Sequence, residues 1–295
     1  LKKIRAYLRL MRPANIVTSV ADVLAGITIS GFFTKEVTGA DLLPVVLLCI
    51  STIGLYGGGI VFNDVFDAAL DAVERPERPI PSGLVTLQQA AVLGTILFGI
   101  GIAGAFLVNS LSGIFAVSIT LAALIYDKWG KHQTFLGPLN MGLCRGLNLL
   151  LGISIIPAAL ISCWFLAIIP IIYIASITMI SRGEVHGGGR PLLCAASLLY
   201  FLVTGCIVYF AFTKHTLSFT IIFLLVFSWM IFRPLLAAIR NASGKNIGKA
   251  VKAGVIALIV LDASLAAAFG SLVMALIIAL LLPVSFWLSG LFAVT

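Results

Sequence analysis

Charge is scarce in this chain. Only 10% of its 295 residues are Asp, Glu, Lys or Arg, while 61% are hydrophobic. So few charges cannot clothe a soluble domain of this length, so the composition points to a polytopic membrane protein. The polar–apolar alternation of membrane barrel strands is missing too. The long apolar runs instead suit helices, which cross about 30 Å of hydrocarbon at about 1.5 Å per residue. The length leaves room for one bundle, so residues 1–295 read as a single domain. Paired cysteine spacing is absent: Cys49, Cys144, Cys163, Cys194 and Cys206 stand singly in apolar stretches, which suggests neither a disulfide framework nor a zinc site. No solenoid-length repeat is visible, and no cleavable signal peptide is expected.

Acidic residues are the rarest charged class, 11 against 19 basic ones. They are also concentrated: Asp64, Asp67, Asp71, Glu74 and Glu77 follow one another at the end of an apolar run. On a helix Asn63, Asp64, Asp67 and Asp71 project from one face. Stacked like charges need a positive partner. A hard divalent cation suits several carboxylate oxygens, and Mg²⁺ usually completes its shell with phosphate and water. Arg75 and Arg78 come next and could hold outer phosphate oxygens. The plainer alternative is a solvated acidic end of a membrane helix. Pro76, Pro79 and Pro81 prevent the helix from continuing, so residues 72–86 are expected to form a structured loop.

The basic residues set the topology. With Lys2, Lys3, Arg5, Arg9 and Arg12 in the cytoplasm, the even-numbered connections hold nearly all other Lys and Arg, and the opposite face keeps only Lys35 and Lys214. An inner-membrane protein with its site open to the cytoplasm is therefore expected. Anionic membrane lipid accounts for part of the basic excess. Nucleic acid is not an expected partner, because the charges lie in separate short loops.

Spans are expected at about Pro13–Phe33, Leu42–Phe66, Leu87–Val108, Leu111–Tyr126, Gly137–Ile156, Ser162–Ile180, Leu192–Phe212 and Leu217–Ile239, on helix length and hydropathy. Residues 240–252 read as a basic connection, and Ala253–Val294 is long enough for two more spans with a turn near Gly270-Ser271. Gly57-Gly58-Gly59 in the second span suits close helix contact or a local break. In the first span Arg12, Asn15, Ser19 and Asp22 form a polar stripe that should face the bundle interior. Asp22 there either bridges helices or belongs to the site. Tyr126, Asp127, Lys128, Lys131 and His132 form a second charged cap. The fifth span carries Asn140, Arg145 and Asn148. A buried arginine needs a partner, which is a carboxylate of the first cluster, the ligand, or a purely structural group. After the sixth span come Arg182, Glu184, His186, three consecutive glycines and Arg190; glycines let backbone amides approach an anion.

Acids and bases thus converge on one membrane face with apolar helices behind them. That arrangement suits an amphiphile with a diphosphate head and a hydrocarbon tail. Metal and basic side chains would turn the diphosphate into a better leaving group. A dry, aromatic-lined chamber would shield the resulting allylic cation until an acceptor captures it.

Asn63-Asp64-x-x-Asp67-x-x-x-Asp71 with Arg75, Arg78, Pro79 and Pro81-Ser82-Gly83 resembles the first motif of the UbiA superfamily of intramembrane prenyltransferases. The resemblance extends to Arg12-Pro13, to Tyr126-x-Lys128-x-x-Lys131, and to Asn140 with Arg145-Gly146. It implies an all-α bundle of about nine transmembrane helices, with a tenth after residue 271 exceeding the usual count, and a cytoplasmic cap. It implies Mg²⁺ dependence, with Asn63, Asp64, Asp67 and Asp71 as metal and diphosphate ligands and Arg75, Lys128 and Lys131 as diphosphate contacts. One departure stands out. The superfamily's second aspartate-rich motif belongs after the sixth span, and residues 181–190 contain no aspartate. Glu184 and His186 are the available ligands there, and Arg182 and Arg190 supply charge in its place.

The cap and Leu136-Gly137-Pro138-Leu139-Asn140-Met141-Gly142 look most similar to the EboC branch, which is associated with bacterial secondary-metabolite operons. That similarity implies a polyol or cyclitol acceptor attacking through a hydroxyl, with Glu184, His186 or Asp22 as base. The expected activity is transfer of an isoprenoid chain from an allylic prenyl diphosphate to a small hydroxylated acceptor. Prenylation of an aromatic acceptor, or a non-catalytic lipid transporter or binding protein, are the alternatives. Neither chain length nor oligomeric state can be read from the residues.

Overall fold

A computed structural model of the chain describes residues 2–34, 38–184, 187 and 189–292. Helix dominates it, and no strand occurs among the described residues. In chain order the helices are α1 (Lys2–Met11), α2 (Pro13–Ile29), α3 (Leu42–Phe66), α4 (Ala68–Glu74), α5 (Leu87–Val108), α6 (Ser110–Lys128), α7 (Leu136–Ile153), α8 (Ala159–Cys163), α9 (Ile168–Ser181), α10 (Arg190–Thr213), α11 (Leu217–Arg240), α12 (Gly244–Ala268), α13 (Leu272–Ala279) and α14 (Leu281–Leu291). Eight of the stretches are long and apolar enough to cross a membrane, counting Ala159–Ser181 and Leu272–Leu291 as one each. The shorter α2 and the more polar α7 complete the bundle, so the additional C-terminal helix is present. The protein is an integral membrane protein of the helical class that the composition requires.

Several boundaries differ from the sequence reading. The sixth span is interrupted: α8 gives way to a tight turn at Trp164–Ala167 before α9 begins. Residues 244–252 are not a loop. Ser243 caps α12, its hydroxyl accepting from the Asn246 amide, so the helix starts well before its apolar stretch and carries Lys245, Lys249 and Lys252 on its first turns. The glycine triplet does not break α3. Proline and glycine spacing instead shows where helices touch. A Cβ on Gly26 of α2 would stand 2.3 Å from the Leu149 carbonyl of α7, and one on Gly152 the same distance from Val23 O. Those glycines seat the first span directly against the helix that carries Arg145.

The most buried crossing is α12, which is enclosed by α2, α9 and α11. Large apolar side chains such as Phe201, Phe212 and Trp229 face outward instead, as lipid solvation permits. On the opposite side α3 packs on α5 and α6, and α7 links this group to α2 and α9. A cavity remains between the two groups.

Candidate functional site

Local chain geometry aims the charged groups at the mouth of this cavity. Proline at position 13 disfavours helical backbone in the residue before it, so α1 stops at Met11. Arg12 takes a left-handed conformation (φ 46°), rare for a side-chain-bearing residue, and its Nη2 donates to Asp64 Oδ1 at 2.7 Å. Strain at a position whose side chain is then used in a charged contact suits a working site. The acid segment is likewise not one uniform helix. It kinks at Asp67, which ends α3 and begins α4. Asp71 therefore sits on a separate short helix, and the loop of residues 75–85 folds back so that Arg78 donates both to Asp71 Oδ2 at 2.7 Å and to Asp64 Oδ1 at 3.3 Å. Backbone bonds from Ser82 to Arg78, Gly83 to Ile80 and Val85 to Pro79 hold that loop, as its prolines led one to expect. Lys131 closes the arrangement from the segment after α6, its ammonium bonded to Asp67.

The cavity behind this mouth encloses about 450 Å³. Asn63, Asp67, Asp71, Arg75, Arg78, Tyr126, Lys131, Arg145 and Glu184 all line it, while Asp64 lies just beneath, buried under its two arginines. Aliphatic side chains including Leu55, Ile60, Ile119, Ile174, Ile177 and Leu258 form the middle of the wall. Among the described residues only Tyr56 and Tyr126 contribute rings, so the aromatic lining expected from the sequence is corrected to an aliphatic one. Its role would be to exclude water more than to solvate a cation by π contacts.

The far end is polar. Arg145 donates to Asp22 Oδ2 (2.7 Å), Thr18 Oγ1 (2.7 Å) and the Tyr56 hydroxyl (2.8 Å), and its guanidinium stacks 4.4 Å from the Tyr56 ring. Asn148 donates to Asp22 Oδ2 at 3.0 Å and to Ser19 O, and accepts from Thr52 Oγ1 at 2.7 Å. Asp262 of α12 interacts with the Asp22 carboxyl from the other side. The partner of Arg145 is thus Asp22 of the first span. Neither the acidic mouth nor the ligand is needed to satisfy it. Asp22 itself does not line the cavity.

Some expected residues lie elsewhere. Lys128 is exposed, its ammonium 4.6 Å from the Trp129 ring centre, and it takes no part in the cavity wall. Arg182 is tied to the Gln133 carbonyl and Arg190 reaches the Arg240 carbonyl at 3.4 Å, both on the exposed rim outside the cavity. Asn140 serves the backbone of α6, facing Ala122 O and the Tyr126 amide at 3.2 Å each. His186 falls outside the described residues. Conversely, Arg12 was read as part of a stripe and as a resemblance, and Asp127 was read only as part of a cap, yet both line the cavity. The alternation of turns around residue 127 gave no periodic signal that could have singled it out.

Two groups at the mouth remain without strong partners. Arg75 makes no ion pair among the described residues, and Glu184, with Oε1 buried and lacking a hydrogen bond, faces the same space. Burial pushes the Glu184 carboxyl above its ordinary range, with the Arg75 charge opposing. The donors here are oxygens, which suit a hard divalent cation. No three acids among the described residues already converge as a metal cage. A cation at the mouth therefore has to share its shell with phosphate and water, which is how Mg²⁺ is ordinarily held. The donor set fits Mg²⁺ on those terms.

The UbiA prenyltransferase family model matches residues 24–242, a stretch that includes the acid segment, the cap and the arginine-bearing span. The chain belongs to the UbiA prenyltransferase family. Within it, the digeranylgeranylglyceryl phosphate synthase of Methanosarcina mazei is 36% identical over 159 residues, covering 52% of this chain and 55% of that protein. The chain spans about half the length of the curated relatives it matches. Among solved structures, the UbiA homologue from Aeropyrum pernix K1 superposes with a TM-score of 0.68 at 16% identity, over 84% of this chain and 96% of that one. The UbiA homologue from Archaeoglobus fulgidus bound to GPP and Mg²⁺ gives 0.62 at 15% identity, over 84% and 99%. These last two likenesses establish the fold.

Proposed function

We propose that this UbiA family member transfers an isoprenoid chain from an allylic prenyl diphosphate to a small hydroxylated acceptor. The observation that carries this reading is one cavity that joins a cluster of paired acids and bases to a wall rich in aliphatic side chains. Arg75 and Lys131 would hold outer diphosphate oxygens, and the tail would run along Leu55, Ile119, Ile174 and Ile177. Asn63, Asp67, Asp71 and Glu184 would hold Mg²⁺ together with the diphosphate, and the bound metal would supply charge stabilisation to the leaving group. Arg78 and Lys131 are already paired with carboxylates, so binding would redistribute existing ion pairs around the incoming diphosphate and metal. The allylic carbon–oxygen bond breaks, diphosphate leaves with the electron pair, and the aliphatic wall keeps water from the cation. A hydroxyl oxygen of the acceptor forms the new bond and loses its proton to the departing diphosphate, or to Glu184 where that carboxylate is not bound to the metal.

Support for a polyol-like acceptor comes from two sides. Hydroxyls of Tyr126, Thr178 and Ser181 line the cavity on the helix ends that lead to Asp127 and Glu184, beside the place where the allylic carbon would lie, and they suit a hydroxylated molecule. The curated relatives are named for a geranylgeranylated glyceryl phosphate, a prenyl–polyol product. The cyclitol-like acceptor of the EboC resemblance belongs to the same chemical class. Orientation in an inner membrane with the mouth toward the cytoplasm follows from the distribution of basic residues.

The test is direct. Purified protein is incubated with geranyl, farnesyl or geranylgeranyl diphosphate, Mg²⁺, and glyceryl phosphates, cyclitols or hydroxylated aromatics. Metal-dependent diphosphate release and an ether product by mass spectrometry are expected. Carbon alkylation of a ring would move the assignment to the aromatic acceptor. No release with any donor, with binding that survives Asp67→Asn, would move it to a lipid-binding protein.

A further inference from the structure

The mouth contains a carboxylate outside the first acidic motif that forms no ion pair among the described residues. Asp127 ends α6, is 4% exposed and lines the cavity. Its Oδ1 accepts a single bond, from Asn63 Nδ2 at 3.0 Å. Its Oδ2 is buried without any hydrogen-bond partner. A helix C-terminus carries partial negative charge, so this is an unfavourable place for a carboxylate. The adjacent Lys128 turns outward over Trp129, and the ammonium of Lys131, one turn on, is committed to Asp67. The acids of the first motif are placed differently: Asp64 has Arg12 and Arg78, Asp71 has Arg78, and Asp67 has Lys131. Glu184, on the opposite wall, shares the condition of Asp127, with a buried oxygen unpartnered and facing the same cavity.

An unpaired buried carboxyl oxygen is costly to keep unless a ligand completes it. The wall where a second set of acids would stand, residues 181–190, has only Glu184 to offer. We infer that Asp127 supplies a ligand oxygen to the divalent cation that enters with the diphosphate, so that this chain rebuilds its missing acid from the end of α6. The inference rests on the donor reading above. Asn63 then acts as a positioning residue, its amide holding Asp127 Oδ1 and fixing the carboxyl at the cavity wall.

Mn²⁺ binding to the full chain in detergent, followed by electron paramagnetic resonance with and without an unreactive thiolodiphosphate analogue of geranylgeranyl diphosphate, separates the possibilities. Wild type is expected to bind Mn²⁺ more tightly when the analogue is present. Asp127→Asn, which keeps the shape and can still accept from Asn63, is expected to weaken that Mn²⁺ affinity about tenfold or more, with the analogue's metal-free binding unchanged. Asp127→Glu should recover part of the loss. Asp41→Asn, which removes an exposed carboxylate far from the cavity, should change nothing. If wild type shows analogue-dependent Mn²⁺ binding and Asp127→Asn matches it, the inference is overturned and the donor reading stands. If wild type shows no analogue-dependent binding at all, both fall. Should Asp127→Asn fail to fold, the Asp127→Glu protein decides: an Mn²⁺ signal with altered hyperfine pattern supports ligation, and an unaltered signal and affinity overturn it.

Discussion

Mouth and far end of the cavity are both built from arginine and aspartate, yet they differ in hydration and redundancy. At the mouth the paired side chains keep some access: Arg12 and Arg78 are 15% exposed, Lys131 14% and Asp67 20%. At the far end Arg145 is 3% and Asp22 1% exposed. The mouth has more carboxylates than any single cation can serve, and its Arg78 is shared between two of them. Its pairs can be exchanged for phosphate and metal without stranding a charge. The far end has one arginine whose bonds run to three different residues on two helices, with Asn148 completing Asp22. It cannot give up a contact cheaply, so it acts as a lock between helices.

The largest effect that could break this comparison is at the lock. Arg145→Ala leaves Asp22 buried beside Asp262 without a cation, and a loss of about 3–5 kcal/mol is expected, read as a large fall in the thermal unfolding midpoint in detergent. Stability within a degree or two of wild type would show that the far end is not structural. The next effect is chemical. Asp67→Asn should lower prenyl transfer about 10²–10³-fold, the range for losing one charge-organising group, while changing stability by no more than about 1 kcal/mol because its pair is partly exposed. A comparable stability loss in both variants would erase the distinction between mouth and lock. Arg75→Ala is expected to be milder, raising the KM for the prenyl diphosphate about tenfold with kcat little changed, since it removes one charge-assisted bond to an outer oxygen. Smallest of all, Lys128→Ala should stay within about twofold of wild type in both kcat and KM, because the ammonium sits over Trp129 outside the cavity. A strong loss there would mean that the cap rearranges on binding.

Much of the mouth was legible from residue order. Asn63, Asp67, Asp71, Arg75 and Arg78 lie within a few turns of one another, so local geometry alone brings them together. Lys131 was legible as part of the second charged cap, but its pairing with Asp67, 64 positions away, was not. The pairing of Arg145 with Asp22, separated by 123 positions, was beyond local reasoning, although the polarity of both helices showed that each had to face inward. Lys128 and Lys131 illustrate the opposite failure. They are one turn apart in sequence, but the tight turn at Gly130–His132 sends one inward and leaves the other on the rim. The N-terminal turns of α12 were misread because a run of lysines resembles a loop, whereas the Ser243 cap makes them a helix.

Hydropathy and the spacing of acids by themselves determined that this is a helical membrane bundle with a charged edge, because hydrocarbon tolerates no unpaired backbone and helices satisfy theirs locally. Which oxygens are neutralised and which remain open, Asp67 and Asp71 on one side, Asp127 and Glu184 on the other, was decided by tertiary packing alone. Those choices depend on side chains from distant helices meeting at a few ångströms, a distance that no local pattern encodes.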